Sequence, residues 1–404
     1  MQGSRSETDQ VVRSRLSVFA GDFSLAAAEA VCSGEGIDEG EIAALLSGLV
    51  DRSQVLVQAH GSETRYRVPE PLPPEAPERL VVNVQPDALR RRHAAFYSAL
   101  AEQAWQESPG PRRAEWVDRL EWEHENLRAA LQWSAESGEA EQGLRLAVAL
   151  RDFWRHHLSE GHEWFAKLLA LPQAAARTAM RAHALDVAGT LAFYLAYQSD
   201  DPESEDARTA SSACGSLLAE SLGIFQELDD KDGCATVLIH LGTRARLLDR
   251  DYAAAQALFE ECLVLCRELG DEACVTFSTG HLAYLAIDRG DPARARSLVE
   301  ENQPRNRKLG FPDGWDPSLL DSAARFAAAH GQPERALRLA GAAAAQREAR
   351  SIPPFLQATL ERALEPARRA VGEAAQARAW AEGHAMTPEH ALAYALEELN
   401  TVHR

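Results

Sequence analysis

Arg250-Asp251-Tyr252-Ala253-Ala254-Ala255, Gly290-Asp291-Pro292-Ala293-Arg294-Ala295 and Gly331-Gln332-Pro333-Glu334-Arg335-Ala336 are one phrase written three times. Each sets a turn, a polar residue and an Ala-rich start. Asp251 to Asp291 is 40 residues, and Asp291 to Gln332 is 41. A turn-plus-helix phrase at nearly fixed period marks a stacked helical array. One helical hairpin cannot bury its own apolar stripe and must lean on its neighbours. Such arrays bind and position things and seldom carry out chemistry.

The unit from His240 to Gly270 is the fullest. Its first helix carries Leu241-Gly242, where the small glycine allows close approach. Its second carries Ala255, Leu258, Phe259, Cys262, Cys266 and Leu269, one continuous stripe at helical spacing. Small Ala255 and bulky Phe259 match the packing positions of tetratricopeptide repeats. Leu282-Ala283, Ala286, Ala295 and Val299 repeat the pattern, and Ala336 with Ala340 repeat it more weakly. Asp251-Tyr252 falls one residue late against the usual spacing.

Working outward, everything from Asp87 to Arg404 reads as helix, with helical runs at Leu100 to Trp105, Trp116 to Trp133 and Leu144 to Trp154. Asp200 to Asp206 forms an acidic exposed break, and helix pairs resume from Leu217. The last helices run from about Pro354 to Arg378 and from Pro388 to Leu399. Six of the eight Trp lie between 105 and 164, at spacings that predict core. Pro69, Pro71, Pro73, Pro74 and Pro77 remove amide donors and block helix, so 69–86 reads as a linker. Before it, 1–68 reads as a helix at Val12 to Phe19, a second at Leu25 to Cys32 capped by Ser24, and a third capped by Asp38. That third helix buries Ile42, Leu45, Leu46 and Leu49. Val55 to Val57 and Arg65 to Val68 then make a hairpin around His60-Gly61-Ser62. Three helices and a hairpin form the winged-helix pattern. The expected fold is therefore mainly α, a small winged-helix domain followed by an α-solenoid over 87–404.

The chain carries 61 acidic and 42 basic residues, a net charge of −19. That balance repels phosphate backbones and argues against direct nucleic-acid binding. Arg90-Arg91-Arg92 reads as a solvated helix start. The polar opening and the lack of a long apolar run predict a cytoplasmic chain that meets no membrane, with its six irregularly spaced Cys reduced.

Searches for chemistry return little. A phosphate-cradling loop needs Gly directly before Lys. Ala166, Asp230 and Arg307 precede the three Lys, so that loop is excluded. Cys262, Cys266 and Cys274, with His240 or His281, have the residue types of a zinc site. Cys262 and Cys266 lie on the apolar stripe, however, so the reading is buried core. His156, His157 and His162 surround a hairpin turn at Ser159-Glu160-Gly161. Asp118, Glu121, Glu123 and Glu125 read as the wet face of a Trp-bearing helix. The expectation is a chain that is not an enzyme and holds no cofactor and no metal. Its partner-binding groove would use the polar first-helix positions Arg244, Arg246, Tyr284 and Asp288.

These residues resemble a known family. Leu16-Ser17-Val18-Phe19-Ala20-Gly21-Asp22-Phe23 with Ala27 to Cys32 resembles the winged-helix segment of STAND-type regulatory ATPases, among them the LuxR-like, AfsR-like and MalT-like regulators of bacteria, actinobacteria included. Leu49 to Ser53 and Thr64 to Arg67 fit the same segment. Arg92 to Tyr97, Glu123 to Leu131, His157 to Gly161, Ala340 to Ala343 and Trp380 to Gly383 resemble the family's helical region in the same order. The resemblance implies a regulatory sensor module that binds a protein, peptide or small inducer. In the family a nucleotide-binding module precedes this region and a DNA-binding domain follows it. Neither is legible in these residues, so the expectation is a split or truncated regulator partnered by a separate ATPase chain. The alternative is a transcription factor reading DNA through the winged helix. Residues 1–90 hold 14 acidic and 8 basic side chains, which agrees with a winged helix that packs on protein.

Overall fold

The computed structural model describes residues 2–60, 63–69, 86–107, 112–309, 317–349 and 355–397. The chain is mainly α-helical and divides into two compact units, Met1–Ala176 and Arg177–Arg404. The expected linker at 69–86 and the hairpin tip at Gly61-Ser62 lie outside the described residues apart from Pro69 and Pro86. The compact division falls at 176, so the helices between Pro86 and Leu169 fall in the same unit as the N-terminal segment.

In the first unit α1 (Gln2–Leu16), α2 (Leu25–Cys32) and α3 (Glu39–Asp51) bury Val12, Leu16, Ala28, Val31, Ile42, Leu46 and Leu49 against one another. Helix α1 stops at Leu16, so Val18 and Phe19 lie beyond it. The Ser24 side chain accepts from the Ala27 amide, which fixes the start of α2. Glu41 accepts from the Asp38 amide and fixes α3. Phe23–Ser24 forms a short strand, β1, that pairs with β3 (Glu63–Arg67), which pairs in turn with β2 (Leu56–His60). The antiparallel register sets Ser24 and Gln58 on either side of Arg65.

Helices α4 (Pro86–Glu107), α5 (Arg113–Trp122), α6 (His124–Glu136), α7 (Ala140–Ala149) and α8 (Leu158–Leu169) complete this unit. The run expected as one helix from Trp116 to Trp133 breaks at Glu123. Trp116, Trp133 and Trp154 are core, whereas Trp122 is 38% exposed. Trp154 donates to the Ala147 carbonyl at 2.9 Å. Its ring lies where a side chain at Gly161 would stand.

The second unit is a row of antiparallel hairpins: α9 (Ala179–Gln198) with α10 (Glu205–Glu227), α11 (Lys231–Arg244) with α12 (Tyr252–Leu269), α13 (Glu272–Asp288) with α14 (Pro292–Lys308), and α15 (Pro317–Ala329) with α16 (Pro333–Ala349). Then come α17 (Phe355–Ala370), α18 (Glu373–His384) and α19 (Pro388–Glu397). Two expectations are corrected. Ser204 caps α10 at Glu205, so helix resumes well before Leu217. The helix expected from 354 to 378 is two helices, parted at Val371-Gly372.

All three copies of the phrase sit at the start of a second helix. The Asp251 and Asp291 side chains accept from Ala254 and Arg294 amides at 3.0 and 2.9 Å. Arg250, Gly290 and Gly331, one step earlier, all have positive φ, which reverses the chain. Ala255, Phe259, Cys262 and Cys266 are fully buried as the stripe requires, but Leu258 is only partly buried and Leu269, the last residue of the helix, is 42% exposed. A Cβ on Gly242 would stand 2.5 Å from the Phe259 ring, so glycine is what lets α11 and α12 close. Burying a ring of that size contributes about 1.5–3 kcal/mol.

Candidate functional site on the inner helix layer

The odd-numbered helices of the second unit form one layer, and α17 comes back against α9. Arg362 of α17 donates to the Tyr197 and Ser199 carbonyls at the end of α9. This curvature turns the polar positions of α9, α11, α13 and α15 toward one another.

Arg246 is placed by a local irregularity. Residues Ala245–Asp249 form a π-turn that continues α11. The Asp251 amide donates to Ala245 O at 2.9 Å, six residues back. Its counterparts, Asp291 and Gln332, reach only five back, to Ala286 O and Ala327 O at 2.8 and 2.9 Å. One extra residue is thus absorbed here, which is why the phrase arrives one residue late in this unit.

Inside the layer Arg246 Nη1 donates to Asp288 Oδ2 at 3.0 Å and to Ser322 Oγ at 3.2 Å. Its guanidinium carbon stands 5.6 Å from the Tyr284 ring centre. Arg325 donates to the same Ser322 at 3.1 Å and lies 3.9 Å from Asp288. Arg325 also reaches the Tyr197 hydroxyl at 3.5 Å. Burial opposes the Arg325 charge, but Tyr197, Asp288, Asp321 and Tyr252 around it raise its pKa above the ordinary value. Nearby, His240 Nδ1 and Asp186 Oδ1 approach to 2.6 Å. His281 is packed among Phe259, Phe277 and Tyr284. Burial first, then the charges of Arg246 and His240, push its pKa down to about 3, so it is neutral at pH 7.

Three of the four expected groove residues, Arg246, Tyr284 and Asp288, are therefore brought together. Arg244 is not. It pairs with Asp249 at 2.8 Å and lies against Gly215 of α10. Arg325, Ser322 and Tyr197 were missed because they are distant in sequence and lie outside the threefold phrase. Exposure rises across the cluster, with side-chain values of 3% at Arg246, 10% at Asp288, 22% at Arg325 and 32% at His240. A carboxylate or guanidinium arriving from solvent therefore meets partly open polar groups before the buried pair.

A second polar cluster lies in the first unit. Glu123, expected on a wet face, is 1% exposed and makes a short ion pair with fully buried Arg65. Arg65 also donates to Asp22 O at 2.9 Å, and Tyr97 donates its hydroxyl to Glu123 at 3.0 Å. Asn126 donates to Asp22 O at 2.8 Å and accepts from the Ala20 amide at 3.0 Å. The helix break at Glu123 is what lets this carboxylate turn inward. His93 lies beside Asn126, and burial lowers its pKa to about 4 against a weaker upward pull from that amide.

Near the 159–161 turn the His157 and His124 rings stand 4.5 Å apart, and Glu121 joins them within 4.8 Å. His157 meets Glu121 at 2.8 Å, and His124, which the sequence reading passed over, meets Glu160 at 3.0 Å. Glu160 is already held by two hydrogen bonds from Arg128, both 2.6 Å. Burial alone would raise the Glu160 carboxyl, but the hydrogen bonds from Arg128 and Trp164 prevail and bring it to about 2. An arginine in that position supplies the charge that a cation would.

The cysteines differ from the expectation of free thiols. Cys266 and Cys274 are joined, with Cα atoms 5.5 Å apart, because the turn at Gly270-Asp271 folds α13 back on α12. Cys32, Cys214, Cys234 and Cys262 are free and buried.

Fold and cluster define a mainly α protein whose chain carries a small three-helix, three-strand segment and, in its second unit, stacked helical hairpins. No family model matches the chain. It is similar to proteins of Mycobacterium bovis and of two strains of Mycobacterium tuberculosis, provisionally named HTH-type transcriptional regulators, at 31% identity over 331 residues. The match takes in 73% of this chain but spans only 37% of the length of those relatives. Among the described residues, no helix is long and apolar enough to cross a membrane.

Proposed function

We propose that this chain is a non-catalytic sensing module of a transcriptional regulator of the STAND type, recognising a peptide, protein or small inducer on its inner helix layer. The observation that carries this reading is the convergence of Arg246, Tyr284, Asp288, Ser322 and Arg325 from successive hairpins. Inner-layer side chains contributed by consecutive units are how solenoids recognise partners. The names of the mycobacterial relatives support a regulatory setting. In this reading the nucleotide switch resides in another module or a separate ATPase chain, and the tetratricopeptide-like hairpins recognise and transmit.

The test is capture from a lysate of the source organism by the chain and by Arg246→Ala and Arg325→Ala variants. Loss of the same captured species in both variants supports the site. An identical set captured by wild type and variants refutes it. The relatives' name also favours a second reading, DNA binding through α3. The exposed face of α3 offers Glu39, Glu41, Ala43, Ala44 and Ser47, with no cation to read a base edge. A salt-dependent shift of DNA by the chain would revive it, and none at low salt would end it.

A further inference from the structure

We propose that, once the Cys266–Cys274 bond is reduced, Cys262, Cys266 and Cys274 bind one thiophilic cation of the Zn(II)/Cd(II) class as a three-thiolate centre.

A disulfide uses two sulfurs, and this site holds three. Cys262 and Cys266 lie one turn apart on the buried face of α12, with Sγ atoms 3.7 Å apart. Cys274 enters from the first turn of α13, and the three sulfurs lie within 4.8 Å of one another. Thiolates on a common cation at Zn–S distances of about 2.3 Å sit roughly 3.8 Å apart, close to the observed Cys262–Cys266 spacing. The surroundings are polar for a core. Ser278, fully buried, places its hydroxyl 3.2 Å from Cys262 Sγ and 3.6 Å from Cys266 Sγ. It donates to the Cys274 carbonyl at 2.9 Å and must turn from it to reach a thiolate, while the Cys262 thiol donates to the Ala235 carbonyl at 3.2 Å until a cation displaces its proton. Cys274 is half-buried, which gives a path for entry, and the α13 N-terminus favours negative charge on it. Burial raises the pKa of the Cys262 thiol, so a cation rather than ambient pH must displace its proton.

The chemistry balances in two steps. Two equivalents of a thiol reductant become one disulfide and deliver two electrons and two protons to Cys266 and Cys274. One divalent cation then replaces the three thiol protons, leaving a centre of net charge −1. Disulfide and metal centre are alternative closed forms of the same sulfurs. Exchange with a small-molecule disulfide, the reverse of the first step, therefore re-forms the Cys266–Cys274 bond, expels the cation and returns Cys262 to its protonated thiol.

The test uses the full chain, reduced, freed of metal and titrated with Cd(II) without oxygen. We expect one equivalent to bind with a thiolate-to-metal charge-transfer band. Cys262→Ser and Cys274→Ser should each weaken binding at least about tenfold, the scale seen when metal-site residues are lost. Cys214→Ser and Cys234→Ser should leave it unchanged. Since Cys262→Ser alters a packed core, alkylation of the wild-type chain provides a second readout: bound Cd(II) should protect Cys262. No charge-transfer band, undiminished binding in Cys262→Ser, or unprotected Cys262 would each overturn the proposal and leave a plain disulfide beside a core cysteine.

Discussion

The two units use the same chemistry, an arginine paired with a carboxylate among tyrosine and amide or hydroxyl partners, and put it to opposite ends. Arg65 and Glu123 are 0% and 1% exposed and tie a strand to a helix break 58 residues away. Arg246 and Asp288 are one step from solvent, with Arg325 and His240 progressively more open around them. The first arrangement is a weld, since both Glu123 oxygens and both terminal nitrogens of Arg65 are spent on the fold. The second is graded, its outer members open to solvent around a buried inner pair. Sealing an ion pair contributes specificity rather than net stability, but breaking one is costly.

That contrast is most exposed to Glu123→Ala. It leaves Arg65 charged and buried with only the more distant Glu63 carboxylate at 3.6 Å, and should cost about 3–5 kcal/mol. Chemical denaturation should show the first unit unfolding at lower denaturant while the helices of the second persist. Replacing both partners, Arg65→Met with Glu123→Leu, should recover much of the loss. A single-variant cost below about 1 kcal/mol, the scale of a surface pair, would mean that the weld is no more than a surface-type contact.

Next in size is the pH dependence of the same region. His93 takes a proton at about 4 in the folded protein against an ordinary 6.5, so the unfolded chain binds protons first as acid is added. Its contribution is fully present above 6.5 and drains away as pH falls toward 4, by up to about 3 kcal/mol. Unfolding midpoints measured across that window should fall steeply for wild type and less steeply for His93→Asn. Equal slopes would remove His93 from the account of this unit.

The second unit has a buried pair of its own, Arg347 with Asp321, but the closure of its hairpins also depends on register, and a methyl group tests that. Gly242→Ala drives a Cβ into the Phe259 ring and should cost about 1–3 kcal/mol through overpacking. Gly280→Ala, on the equivalent helix of the next hairpin, meets only the Tyr284 ring at ordinary contact distances from 3.5 Å outward. It should be neutral or stabilising, since alanine favours helix by up to about 1 kcal/mol. Similar losses at both positions, read from thermal unfolding, would show that α11–α12 closure is not special.

What the sequence made legible follows the reach of each signal. Ser24 and Asp38 act within three residues, so their capping could be read directly; Asp251 and Asp291, read only as part of a turn, prove to cap in the same way. The stripe Ala255 to Cys266 follows from helix periodicity and held until Leu269, the last residue of the helix. Glu123 was misread because its burial depends on Arg65 on a distant strand, and periodicity carries no information about that. Arg246, Tyr284 and Asp288 could be found because they recur at first-helix positions. Arg244 looked equivalent, but the π-turn that follows it shifts the phase, and only the late arrival of Asp251 hinted at the extra residue. The meeting of Cys262 with Cys274 depends on the geometry of one turn.

The smallest expected effect bears on that turn. Gly290 and Gly331 adopt left-handed φ values of 71° and 70°, and Arg250 adopts 54° at the matching place. A side chain in this conformation costs roughly 1 kcal/mol that glycine avoids, although glycine returns part of it as unfolded-chain entropy. Arg250→Gly, at an exposed position, should therefore raise stability by about 0.5 kcal/mol, seen as a higher denaturant midpoint with an unchanged slope. Gly290→Ala should do the reverse, and by more, because its Cβ would also crowd Phe326 at 3.1 Å. If Arg250→Gly loses stability, the guanidinium is itself holding the π-turn closed. The arginine would then have replaced the repeat's usual glycine in order to position Arg246, and the graded cluster and the repeat register would be one device rather than two.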